Sequence, residues 1–498
     1  MSSETDRLAA LVPAAIVAYF ALQSVARLAI PGGLGLDEAE KMVTAQALAW
    51  GYGAQPPLYT WLQIGVFALT GEGLAGLSLL KNALLVLTFL GLWSLARQLG
   101  ADRVTAAAAA LGLFLVPAIA WESQRALTHS VLATAVAVWT MAAAIWAVER
   151  GGSARWALVG LALGVGLIAK GTYAPLAAGL LIAGAALPWA RSRGWWIALG
   201  VALPVVAGPT LWTVLNWDLA SQSVHKFGIE GETSRIGAAL VALWQVARVL
   251  LSSLAPVVAV FAVTLGLSGW AWTSRTTPGQ RLLEASLLLG MLTVVIAGLA
   301  VGATGLKGRW LQPLLVFVPL VLAMRIVPLA ERRGVRVLGI AGIAAAVAMA
   351  VALPWNLGLG TRNPPHQAAP IACLAAQAPL GDGLVLAENT FLGGNLRLAD
   401  PRLAVTIPAM AGLNRDATPS VLVWLGQGDA SEPPAALVAL LQRRIGAAAL
   451  PGTVRFAEAP YPWPFADRRL RLYWAPVHTV SPEPGAAAPE PSPTQQQE

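Results

Sequence analysis

The chain has 498 residues, of which 57% are hydrophobic and only 12% charged, with a mean hydropathy of +0.65 and a net charge of +8. Soluble chains carry about 25% charged residues, so a soluble globule, a disordered chain and a collagen-like repeat are all excluded. What remains is an α-helical polytopic membrane protein.

A helical span needs about 20 mostly apolar residues. Eleven stretches are candidates, in chain order 8–30, 74–97, 104–121, 128–148, 155–169, 172–190, 195–216, 250–272, 281–302, 310–329 and 337–354. The first follows a short polar start that ends at Arg7 and has no small-residue cleavage site, which predicts an uncleaved span. A long loop, 31–73, separates it from the second. There the pattern predicts a helix from near Asp37, then Gly51-Tyr-Gly-Ala-Gln-Pro-Pro-Leu58. An amphipathic stretch ending at Thr70-Gly71 follows, too short to span and read as an interfacial helix. A second long loop covers 217–249 and contains Ser223-Val-His-Lys-Phe227.

After Pro354 the composition shifts towards Pro, Asp and Asn. Strands are predicted at Leu384–Glu388, Ala404–Ile407, Val421–Leu425 and Arg469–Trp474, and a helix at 433–446. The expected organisation is a transmembrane domain over 1–354, a small α/β domain over 355–478 that shapes the acceptor entrance, and a Pro/Ala/Glu/Gln-rich disordered tail over 479–498.

Arginines decide the sidedness. Alternate short loops hold Arg97/Arg103, Arg150/Arg155, Arg191/Arg193, Arg275/Arg281 and Arg332/Arg333/Arg336, on the same side as Arg7. The positive-inside rule makes these loops cytoplasmic, with the N-terminus inside and the C-terminal region outside. The same placement accounts for a pI of about 10 without nucleic acid as a partner. Cys373 is the only cysteine, and the four histidines are scattered, so neither a disulfide within the chain nor a zinc site is expected. The 20 tryptophans are read mainly as interfacial anchors.

The outer loops carry ions that topology does not require, among them Asp37, Glu38, Glu40, Lys41, Lys170, Lys226, Lys307 and Arg309. Charge at membrane depth costs several kcal/mol unless it is paired or functional. As a set these residues point to a polar site for an anion at the outer membrane surface. Asp37 reads either as a helix N-cap or as a general base that takes a proton from an attacking hydroxyl. Lys170, Lys226, Lys307 and Arg309 read either as snorkelling side chains at span ends or as phosphate contacts.

The block from Asp37 to Arg97 resembles the GT-C glycosyltransferases of the dolichyl-phosphate-mannose–protein mannosyltransferase and aminoarabinose transferase superfamily. The matching residues are Asp37-Glu38-Ala39, Trp50-Gly-Tyr52, Pro56-Pro57-Leu58, Trp61-Leu62 and Arg97-Gln-Leu-Gly100. Gly160 to Gly164, Ala169-Lys170-Gly-Thr172, and Leu215-Asn216-Trp217 with Ser221 to Phe227 resemble later parts of the same pattern. The resemblance covers about 1–350 and implies a GT-C fold in a bacterial inner membrane. It further implies inverting transfer of a sugar from a polyprenyl-phosphate donor to a lipid, glycan or protein acceptor at the outer face. Asp37 matches the catalytic aspartate and Glu38 its neighbour. Gln55, Tyr59, His129 and His225 complete the expected substrate-binding set with Lys170, Lys226, Lys307 and Arg309.

Three features depart from the pattern: Ala54-Gln55 replaces an acid–lysine pair, His129 follows Thr128 where relatives have aspartate, and Glu40 replaces a basic or aromatic residue. These changes imply a donor or acceptor unlike that of the best-known members. No cofactor is demanded; a divalent cation is the one left open. Two other readings remain, a membrane transporter or lipid flippase and a non-catalytic envelope assembly subunit on a GT-C scaffold.

Overall fold

The computed structural model describes residues 2–30, 32–222, 235–267, 276–302, 305–326, 333–360, 363–426, 432–446 and 449–479. In chain order, α1 (Ser2–Ala29) is followed by α2 (Leu36–Thr44), α3 (Leu58–Thr70) and the returning span α4 (Leu74–Gln98). Then come α5 (Arg103–Gly112), α6 (Pro117–Arg125), α7 (His129–Arg150), α8 (Ser153–Ala169), α9 (Ala174–Ala186) and α10 (Gly194–Leu215). The membrane part ends with α11 (Trp217–Ala220), α12 (Arg235–Leu267), α13 (Pro278–Ala300), α14 (Gln312–Leu315), α15 (Val318–Ile326) and α16 (Arg333–Gly358).

Among the described residues seven helices are long and apolar enough to cross a membrane. The α5–α6 pair makes eight if it is one broken span, and three shorter apolar segments (153–169, 171–186 and 312–325) coincide with the remaining candidates. Their outward faces are apolar, with Leu203, Leu211 and Leu251 each more than half exposed. Such a surface belongs in lipid. Small residues let the bundle close. On α8, a methyl at Gly160 would stand 2.2 Å from the Ala198 carbonyl oxygen of α10, and one at Gly179 of α9 2.2 Å from the Ser286 oxygen of α13.

Two expectations need correction. The span at 104–121 is not straight: the chain bends by 62° between α5 and α6. Pro117 cannot donate a helical hydrogen bond, and it holds Val116 extended at φ −103°, ψ 98°. The second long loop is also shorter, because α12 already starts at Arg235. Gln245 and Arg248 interrupt the apolar run, but they bond to each other on the helix surface at 3.0 Å and leave the helix intact. The expected short helix α3 is present at Leu58–Thr70 and is too short to span.

The C-terminal region has α17 (Ile371–Ala375), β1 (Leu384–Ala387), α18 (Thr390–Ala399), β2 (Val405–Thr406), β3 (Pro419–Gly426), α19 (Ala435–Ile445), β4 (Ala449–Pro451), β5 (Arg455–Pro460) and β6 (Arg469–Thr479). Strand order is β2-β1-β3-β6-β4, with β5 also on β6; β1 is parallel to β2 and β3, and β6 antiparallel to its partners. β1 is buried on both faces: Val385 packs with Leu392 and Leu396 of α18, and Leu384 and Leu386 with Leu440 and Leu441 of α19. The expected 479–498 tail lies beyond the described residues, apart from Thr479.

Candidate active site

The site is built on α2. Gly35 precedes the helix in extended conformation, and the Glu38 carboxylate reaches back to accept its N–H at 3.0 Å. Asp37, on the first turn, is therefore not the cap. Its side chain opens into a cavity of about 580 Å³, which is also lined by Glu40, Gln55, Lys170, Thr172 and Arg309. Trp50, Trp212 and Trp310 supply apolar walls.

Burial first, then the neighbouring Glu40 carboxylate, raise Asp37 to about 6; Lys170, Lys41 and Arg309 pull the other way without cancelling the rise. A carboxylate of this kind is ionised at neutral pH yet basic enough to accept a proton. Lys170 stands at the end of α8, where its ammonium donates to the Ser130 hydroxyl at 2.5 Å. The Thr172 hydroxyl is buried and has no hydrogen-bond partner among the described residues.

Glu38 faces away from the cavity. Its carboxylate accepts from Arg27 of α1 at 2.9 Å and lies 3.7 Å from Lys81 of α4. Burial alone would raise its pKa, but Arg27 and Lys81 outweigh that and hold it at about 2. It is a permanent anion that ties α2 to two spans.

Behind Glu40 lies a buried polar pair. Lys41, fully enclosed, is 2.8 Å from the Glu40 carboxylate and donates to His129 Nε2 at 2.7 Å. His129 Nδ1 is 3.3 Å from the Ala169 carbonyl oxygen, which it meets as an N–H donor in the neutral tautomer. Tyr59 lies beside this pair, its ring 5.3 Å from the imidazole and 5.9 Å from the Lys41 ammonium. His129 and Tyr59 therefore brace the wall and do not line the cavity. Lys307 is exposed and also absent from the lining. His225 and Lys226 lie outside the described residues.

Sequence reasoning did not place Thr172, Trp50, Trp212 or Trp310 at the site, and it took Glu40 only as one of a set of outer-loop ions. It also overlooked Lys81, although a lysine inside an apolar span is itself a signal. Among the described residues no three His, Cys, Asp or Glu side chains converge as metal ligands. Among the described residues none of the C-terminal region lines the cavity.

Comparisons with known proteins identify the chain's relatives. The family model described as "Dolichyl-phosphate-mannose-protein mannosyltransferase" matches residues 54–212. The lipopolysaccharide core galacturonosyltransferase RgtB of Rhizobium johnstonii is 34% identical over 93% of this chain and 96% of its own length. RgtA of the same organism is 30% identical over 85% and 88%. The crystal structure of ArnT from Cupriavidus metallidurans bound to undecaprenyl phosphate superposes with a TM-score of 0.59, at 13% identity, over 92% of this chain and 97% of that one. Fold and relatives together define a multi-span membrane glycosyltransferase. The chain belongs to the GT-C glycosyltransferase family that includes RgtA and RgtB.

Proposed function

We propose that this enzyme transfers a hexuronate from a polyprenyl-phosphate carrier to a lipopolysaccharide acceptor at the outer face of the bacterial inner membrane. The observation that carries the reading is one cavity holding the Asp37 carboxylate together with the cations Lys170 and Arg309. The galacturonosyl and core specificities named for RgtA and RgtB support the sugar and acceptor class. The undecaprenyl phosphate named for the ArnT structure supports the carrier.

In this mechanism Asp37 takes the proton from an acceptor hydroxyl as its oxygen attacks the anomeric carbon. The bond from that carbon to the phosphate oxygen breaks on the opposite side, which inverts the centre. The carrier phosphate leaves with the electron pair, and Lys170 and Arg309 stabilise the charge that develops. Lysine serves as a point charge and arginine as a two-pronged donor. Gln55 and the unpartnered Thr172 hydroxyl bond the sugar or phosphate. A non-titrating Gln55 fits a donor whose sugar is itself anionic. The test compares wild type with Asp37→Asn on undecaprenyl-phosphate galacturonate and purified lipopolysaccharide core. Loss of a general base predicts a kcat lower by roughly 100- to 10,000-fold. Transfer within tenfold of wild type would overturn the assignment of Asp37.

A further inference from the structure

We infer that α18 of the C-terminal region positions the catalytic base, through the seat of Gly394 on the α2 backbone and the grip of Asn395 on the chain entering that helix. The inference rests on Asp37 being the base. A nine-residue helix in an outer loop cannot hold its own shape, since isolated helices that short are marginal even with favourable sequences. Its partners must hold it. Glu38 fixes one side to α1 and α4, and α18 supplies the other.

The contact is close. A methyl on Gly394 would stand 2.2 Å from the Ala39 carbonyl oxygen and 2.4 Å from its Cα, so only a residue without a side chain fits. Ala39 lies between Asp37 and Glu40, the two carboxylates that enter the cavity. The Asn395 side-chain oxygen accepts the Leu34 N–H at 2.7 Å, and its amide is fixed by donating to the Phe391 carbonyl at 2.9 Å. Gly33 N–H donates to the Gln367 carbonyl at 2.6 Å. Beyond the far end of α2, Gln46 exchanges two hydrogen bonds of 2.9 Å with the Val405 backbone. The C-terminal region thus grips this segment before, along and after the helix, while none of its described residues lines the cavity. Its action on the reaction runs through α2.

A displacement of about 1 Å at a reacting group costs on the order of 100-fold in rate. Gly394→Ala forces α2 to move, and Asn395→Ala frees its entry. Both should lower kcat roughly 10- to 100-fold while the donor KM stays within about twofold. The acid limb of the pH profile should also move below the wild-type position. Asp37, facing Glu40 and Lys41 from its own helix, Lys170 from the end of α8 and Arg309 from the segment before α14, would lose part of its burial. A merely structural role would lower the yield of folded protein without moving that limb.

The experiment measures kcat, KM and pH dependence for both variants as purified full-length protein, with Asp37→Asn assayed beside them. Should Gly394→Ala not accumulate, Asn395→Ala decides by the same readouts. Wild-type kcat and an unmoved limb in either folded variant, with Asp37→Asn inactive, overturn positioning and leave the base intact. An active Asp37→Asn overturns the base itself.

Discussion

At the scale of single residues, the site is governed by two carboxylates one helical turn apart. As the proposed base, Asp37 would work only when deprotonated, and burial together with Glu40 puts its titration at about 6. Transfer should therefore fall as pH drops through that value and level off above it. Glu40→Gln removes the like charge and leaves Lys41 without its carboxylate partner. Both changes favour ionised Asp37, so the acid limb should move to lower pH, by about one unit at most for a charge at this separation. The plateau rate at alkaline pH is the internal control. A limb that stays at the wild-type position would show that Glu40 does not tune Asp37.

At the scale of elements, α2 is a short helix held by buried charge on one side and close backbone packing on the other. Glu38 meets Arg27 and Lys81 in the interior, and removing one partner of a buried ion pair leaves uncompensated charge. Glu38→Gln should cost about 3–5 kcal/mol, measured as a lowered thermal midpoint of the detergent-solubilised protein. A stability equal to wild type would show that the pair holds nothing. The helix itself was legible from Asp37-Glu38 and the apolar residues that follow. Its partners were not, because Lys81 lies in a span 43 residues away and Asn395 far beyond, and local periodicity carries no record of such distances. The short strands β4 and β5 were illegible for a related reason: they exist by pairing with β6, not by a strong alternation of their own. The break at Pro117, in contrast, was readable in principle from the proline alone.

At the scale of the whole molecule, the apolar runs and arginine-rich loops made the spans legible, and the first-loop motif located Asp37. The motif did not reveal that Glu38 and His129 point away from the cavity, since spacing says which helix a residue is on and not which neighbour it meets. We propose the orientation read from the arginines, with the C-terminal region outside. Cys373 tests it without engineering, being the only cysteine of the chain and exposed. A membrane-impermeant maleimide applied to intact spheroplasts should label it as fully as after lysis. Labelling only after lysis would invert the topology.

The contact between Leu34 and Asn395 joins positions 361 residues apart. Synthesis proceeds at about 5–20 residues per second, so roughly 20–70 s separate the emergence of the two partners. Throughout that interval the nascent chain already carries Asp37, yet the element proposed to hold it in register has not been made. On the positioning reading, catalytic competence arrives last, after the spans are inserted. A chain that stalls or is cut before α18 would then sit in the membrane beside the carrier lipid without spending it.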